Sequence, residues 1–251
     1  MKETTSIDDI INMILLCDEI ERDTSKGADM ITPIYEITPT EFLGIAEMGL
    51  DSNTLSDKVN SVSNLKRALD YQLDIFLESI NLKKIFQKNN LKFEQKTKFL
   101  SNIGILSPKS INKLNSIRNK LEHEYKIPTI DDLQVYYELV WSVTEIIDAR
   151  LLSILANGEI SYSLYHENSK FYISILFDIK NSKFAFEIRD WSSKEINEKE
   201  YIIIEAPLKN KSDEENYVKA FKIYLATIHF FHDDNLQQYK NNLKNIAKHN
   251  E

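Results

Sequence analysis

At 251 residues, with 42% hydrophobic and 28% charged side chains, the chain can bury one large core or two small ones and is too apolar to stay disordered. No apolar run reaches the roughly 18–20 residues that span a bilayer, and Met-Lys-Glu-Thr-Thr lacks the basic-then-apolar order of a signal peptide, so a cytoplasmic protein is expected. The lone Cys17 excludes an intrachain disulfide and a cysteine-built zinc site, and a net charge of −8 argues against indiscriminate nucleic-acid binding.

Two halves differ in apolar period, helical from residue 6 to about 156 and alternating from about 159 to 206, with Asn157-Gly158 as the seam. Ser6 and Asp9 form a capping-box pattern that opens a first helix through Ile7, Ile10, Ile11 and Ile14 towards Glu21, with Cys17 packing on it. Gly27, Pro33 and Pro39 mark residues 24–40 as a loop, and a short helix follows near 40–48. A long helix over about 62–88 carries Leu65, Leu69, Leu73, Phe76 and Ile80 on one face, as a bundle member should. Phe93, Lys96, Leu100 and Ile103 predict a shorter helix ended by Gly104. Pro108 at a first helical position opens the next, which Pro128 closes. Asp131 or Asp132 then caps a helix bearing Leu133, Tyr137, Val140, Ile147, Leu151 and Ile154.

Beyond the seam, Ile160, Tyr162 and Leu164 alternate with serines. Phe171, Ile173, Ile175, Phe177 and Ile179 mark a clearer strand, and Asn181-Ser182 turns it into Phe184, Phe186 and Ile188. Tyr201 to Ile204 makes a fourth strand. Ser212 and Glu215 cap a final helix striped by Tyr217, Phe221, Tyr224, Leu225 and Ile228. The expected fold is α+β: an extension over 1–60, a helical bundle over 61–157, and over 158–251 an antiparallel sheet of three or four strands with one C-terminal helix.

The chemistry concentrates at Arg118-Asn119-Lys120-Leu121-Glu122-His123-Glu124-Tyr125. A guanidinium holds phosphate through paired charge-assisted hydrogen bonds, and an imidazole can give and take a proton near neutrality. Residues 81–120 hold ten lysines and arginines against the single acid Glu94, a net +9 that leaves −17 on the other 211 residues. Such a segment can draw a polyanion to one place, with Lys113 and Lys120 as substrate-binding cations, or can simply be a solvated helix pair. On a regular helix Arg118 joins the stripe of Ile111, Leu114, Leu121 and Tyr125, while Asn119 and His123 lie on another face, His123 about 140° from Arg118. Either a two-fold dimer brings Arg and His of opposite subunits together, or the helix unwinds before Pro128.

The Arg-x4-His spacing with Asn directly after the Arg, late in a helix and followed by a Pro turn and another long helix, resembles the signature of the HEPN family of helical RNases. The resemblance covers roughly residues 62–156, including Leu114-Asn115-Ser116-Ile117 ahead of the motif. It implies a homodimer with two motifs in an interface cleft, and a metal-independent endoribonuclease of a toxin-antitoxin or other defence system. His123 would then be the general acid or base, Arg118 would hold the phosphate, and Asn119 would orient the histidine or a phosphate oxygen. Glu122 or Glu124 could raise the histidine pKa. No cofactor and no metal are implied. Tyr125, in a His-x-Tyr pattern, also resembles HEPN toxins that a partner nucleotidyltransferase silences by attaching AMP to that tyrosine, although those toxins are little more than the bundle. Some HEPN proteins are non-catalytic, so the alternative is a scaffold that binds a partner protein or nucleotide through the same cleft. Elsewhere, His229, His232 and Asp233 at helical spacing read as polar residues at a helix end, Trp141 and Trp191 as packing residues, and the five glycines form no phosphate-binding loop.

Overall fold

The computed structural model describes residues 6–28, 33, 35–52, 54–83, 85, 92–110, 112, 113, 116, 129–192 and 201–248. The chain divides into two compact units, one made of residues 1–30 with 153–251 and the other of residues 31–152.

The first unit is built on a five-stranded antiparallel sheet: β1 (Glu19–Lys26), β2 (Glu159–His166), β3 (Ser169–Asp178), β4 (Lys183–Asp190) and β5 (Tyr201–Pro207), adjacent in that order. Alternation puts Ile160, Tyr162, Leu164, Ile173, Ile175, Phe177, Phe184, Phe186 and Ile188 on one buried face. Helix α6 (Glu214–Asp233) covers them through Tyr217, Phe221 and Tyr224. Phe177 and Phe184 stack at 4.5 Å, and Phe221 meets both edge-on at 5.4 and 5.2 Å. Such ring pairs add about 0.5–1.5 kcal/mol each beyond the area they bury. Helix α1 (Ile7–Leu16) and helix α7 (Leu236–Lys248) complete the layer. α1 opens on the expected Ser6–Asp9 capping box and buries its four isoleucines. Lys219, buried on α6, is paired with Asp8 of α1.

The sheet has five strands rather than three or four, and two helices follow it rather than one. β1 escapes an alternation test because Ile20 is its only large apolar residue. It is held by the backbone ladder to β2, from Glu19 opposite Tyr165 to Lys26 opposite Glu159. α1 accordingly stops at Leu16, where Cys17 turns extended, instead of running on to Glu21. The final helix pattern is split at Asp234, whose φ of 52° ends α6 and lets α7 fold back, with Tyr239 stacked on Phe230 at 5.0 Å. The cap before α6 also differs: Asn210 and Asp213 form the box, ahead of a helix that begins at Glu214.

The second unit contains helices α2 (Pro39–Glu47), α3 (Leu55–Ser79), α4 (Phe93–Asn102) and most of α5 (Ile130–Ala156), whose last turn belongs to the first unit. α3 begins at Leu55, capped by Thr54 on the Asp57 N–H, ahead of the start expected near residue 62. It stops at Ser79 rather than near 88, because Asn81 adopts φ 59° and the Leu82 N–H closes back on the Leu77 carbonyl at 2.6 Å. Gly104, at φ 87°, ends the α4 segment as expected. α2 and α3 pack through Phe42, Leu43 and Ala46, and the Ser61 hydroxyl reaches the Ala46 carbonyl at 2.8 Å. Among the described residues no helix is long and apolar enough to cross a membrane.

Candidate functional site

Residues 108–110, 112, 113 and 116 are in helical conformation, beginning at Pro108, with the Lys109 N–H on the Ser107 hydroxyl at 3.3 Å. Lys113 is exposed there. Arg118, Asn119, Lys120, His123 and Tyr125 lie outside the described residues, as do Glu122, Glu124 and Pro128. The described chain resumes at Thr129, whose hydroxyl caps α5 through the Asp132 N–H at 3.0 Å, so Thr129 rather than Asp131 or Asp132 is the cap. The stretch therefore sits between a helix that begins at Pro108 and one that begins at Ile130.

The basic segment before it is partly neutralised. Lys83 donates to Glu78 at 2.7 Å and to Tyr35 at 3.0 Å, and Tyr35 donates to the same carboxylate at 2.6 Å. Burial of the ammonium works against its charge, but the bonds to Glu78 and Tyr35 outweigh it and hold the Lys83 pKa above its ordinary value. Lys96 of α4 is likewise paired with Asp74 of α3. Lys92, Lys98, Lys109 and Lys113 are exposed. The net +9 counted along the sequence thus overstates the positive field, since α3 sets two carboxylates against it. Asp74 and Glu78 fall just outside the 81–120 window, and their spacing of four, which puts both on one helical face, is the signal that could have found them.

Other places offer less chemistry. Cys17 is buried, its thiol donates to the Ile14 carbonyl at 3.0 Å, and burial pushes its pKa up to about 11, so it is a packing thiol rather than a nucleophile. His166 meets Asp18 at 3.2 Å at the β2–β3 turn, with both side chains well exposed. A cavity of about 210 Å³ at the foot of β2 and β3 is bordered by Lys26, Lys180, Glu159 and Asp178, a balanced set smaller than ordinary ligand pockets of about 300–1,000 Å³. Among the described residues no three His, Cys, Asp or Glu side chains converge as metal ligands. The tryptophans, read as packing residues, are half-open: Trp141 is 45% exposed, and Trp191, 36% exposed, stacks on Tyr172 at 5.0 Å.

Comparison with protein-family models, with curated proteins and with solved structures finds no match for this chain.

Proposed function

We propose that the chain is a metal-independent HEPN-type endoribonuclease, acting as a toxin or defence effector, with its site formed where two copies bring Arg118 and His123 to one RNA phosphate. The observation that carries this reading is the Arg118-Asn119-x3-His123 pattern between a helix opening at Pro108 and the long helix α5. The ribose 2′-hydroxyl attacks the adjacent phosphorus as an imidazole takes its proton. The P–O5′ bond breaks, the leaving oxygen gains a proton, and a 2′,3′-cyclic phosphate and a 5′-hydroxyl result. A two-fold dimer supplies two imidazoles, one for each proton transfer, each worth about 10²–10⁴ in rate. Arg118 offsets the charge that grows on the phosphate oxygens. Asn119 orients the ring or the phosphate, and exposed Lys113 with Lys120 holds the neighbouring backbone. Tyr125 beside this site is a place where an attached AMP, delivered by a nucleotidyltransferase antitoxin, would repel RNA.

The test is RNA cleavage in EDTA. Wild type should cut, and His123→Ala and Arg118→Ala should each lose at least about a hundredfold in rate while dimerisation and the circular dichroism spectrum persist. Cleavage that survives both substitutions, or that requires a divalent ion, would overturn the assignment. A dimeric wild type inert towards RNA would leave the non-catalytic scaffold.

A further inference from the structure

The two outer edges of the sheet are protected very differently. β1 carries Glu19, Glu21, Arg22, Asp23 and Lys26, and its register slips between Arg22 and Ser25; charge and bulges both discourage pairing with another strand. β5 reads Tyr-Ile-Ile-Ile-Glu-Ala-Pro and runs in unbroken register with β4 over all seven residues. Tyr201, Ile202 and Ile203 are 48%, 37% and 51% exposed, so apolar surface is open on both faces of the strand. Among the described residues no strand pairs with its outer side.

We infer that the outer edge of β5 is a self-association surface that pairs antiparallel with β5 of a second copy, joining two five-stranded sheets into one. The strand is complementary to itself. Paired residues face the same side of a sheet, so a two-fold axis normal to it must pass beside a single residue. Centred on Ile203, Ile203 meets its own mate, Ile202 meets Ile204, and Tyr201 meets Glu205. The carboxylate, which Lys183 of the same chain already holds through one oxygen, then faces a phenol donor whose ring carries the Arg189 guanidinium at 5.6 Å. Centring on Ile204 would set Glu205 against Ile203, and centring on Ile202 would leave Glu205 beyond the partner strand's start. A seven-residue strand pair buries less than the roughly 1,200 Å² at the low end of stable interfaces, so this association is concentration-dependent. The inference goes beyond the ribonuclease reading and does not use Arg118 or His123.

Disulfide trapping in the full chain tests the edge and its register together. Opposite Cα atoms of an antiparallel pair lie about 4.5–5.5 Å apart, within disulfide reach, so Ile203→Cys should oxidise to a covalent dimer. Tyr201→Cys, with its mate about 13 Å away along the strand, should stay monomeric on the same gel. In sedimentation, Ile203→Glu should weaken self-association through this edge at least tenfold, and an equimolar mixture with Ile203→Lys should restore a 1:1 pair, which also shows that both variants fold. Absence of the 203 cross-link, equal cross-linking at 201 and 203, or failure of the mixture to re-pair would each overturn the inference. A dimer made only through the helical unit gives no 203 cross-link, and a nuclease assay that fails leaves the cross-link intact, so the two readings fall separately.

Discussion

Glu78 accepts hydrogen bonds from Lys83 and Tyr35, and the Lys83 bond, followed by the Tyr35 bond, holds its carboxyl below the ordinary range. A depressed folded pKa contributes stability that is present above the unfolded carboxyl value, about 4.3, and is lost as pH falls through the folded value. With side chains 25% and 34% exposed the pair contributes at most about 1 kcal/mol. Glu78→Gln should therefore lower the urea midpoint at pH 7, by a gap that narrows as the pH is taken down through and below the ordinary carboxyl range; a gap independent of pH would rule out charge as the cause. Tyr224 donates to the Ile154 and Asn157 carbonyls, both at 2.8 Å, so Tyr224→Phe should cost about 1–3 kcal/mol in urea unfolding. From the sequence Tyr224 is recognisable as a member of an apolar stripe. Its polar partners, some seventy residues earlier, are not, because nothing local encodes where a hydroxyl will end. The catalytic candidates are legible only as a pattern of residue types; their geometry lies outside the described residues.

At the scale of elements, helices announced by a capping box or an apolar stripe were readable, and so were strands buried on one face. β1 was not, because an edge strand held by backbone pairing needs no apolar alternation. Nor was the stop at Asn81, which depends on a left-handed backbone that Asn tolerates without demanding. Glycine effects divide along the same line. A Cβ on Gly158 would sit 2.5 Å from Ala28, so Gly158→Ala should lower stability by about 1–3 kcal/mol through forced backbone movement. A Cβ on Gly44, exposed within α2, meets nothing within 4 Å, so Gly44→Ala should raise stability by about 0.5–1 kcal/mol. Paired thermal melts check both signs, and a stable Gly158→Ala would refute the close approach.

For the molecule as a whole, the sheet unit is discontinuous in sequence: residues 1–30 complete what 153–251 begin. A fragment of residues 153–251 lacks β1 against β2 and the four buried isoleucines of α1. It should precipitate or bind a hydrophobic dye, and co-expression of residues 1–30 should restore a cooperative melt. A fragment that melts cooperatively alone would show that α1 and β1 are accessory.

Lys26 pairs with Glu159, so two residues more than 130 positions apart in sequence close one end of the β1–β2 ladder. During synthesis β1 meets β2 only after more than 130 further residues, roughly 7–26 s at about 5–20 residues per second, and α1 meets α6 and α7 only after about 200, roughly 10–40 s. Through that longer interval the apolar side of α1 has nothing native to rest on, which makes the nascent α1–β1 segment a client for a holding chaperone and makes translation speed a determinant of yield.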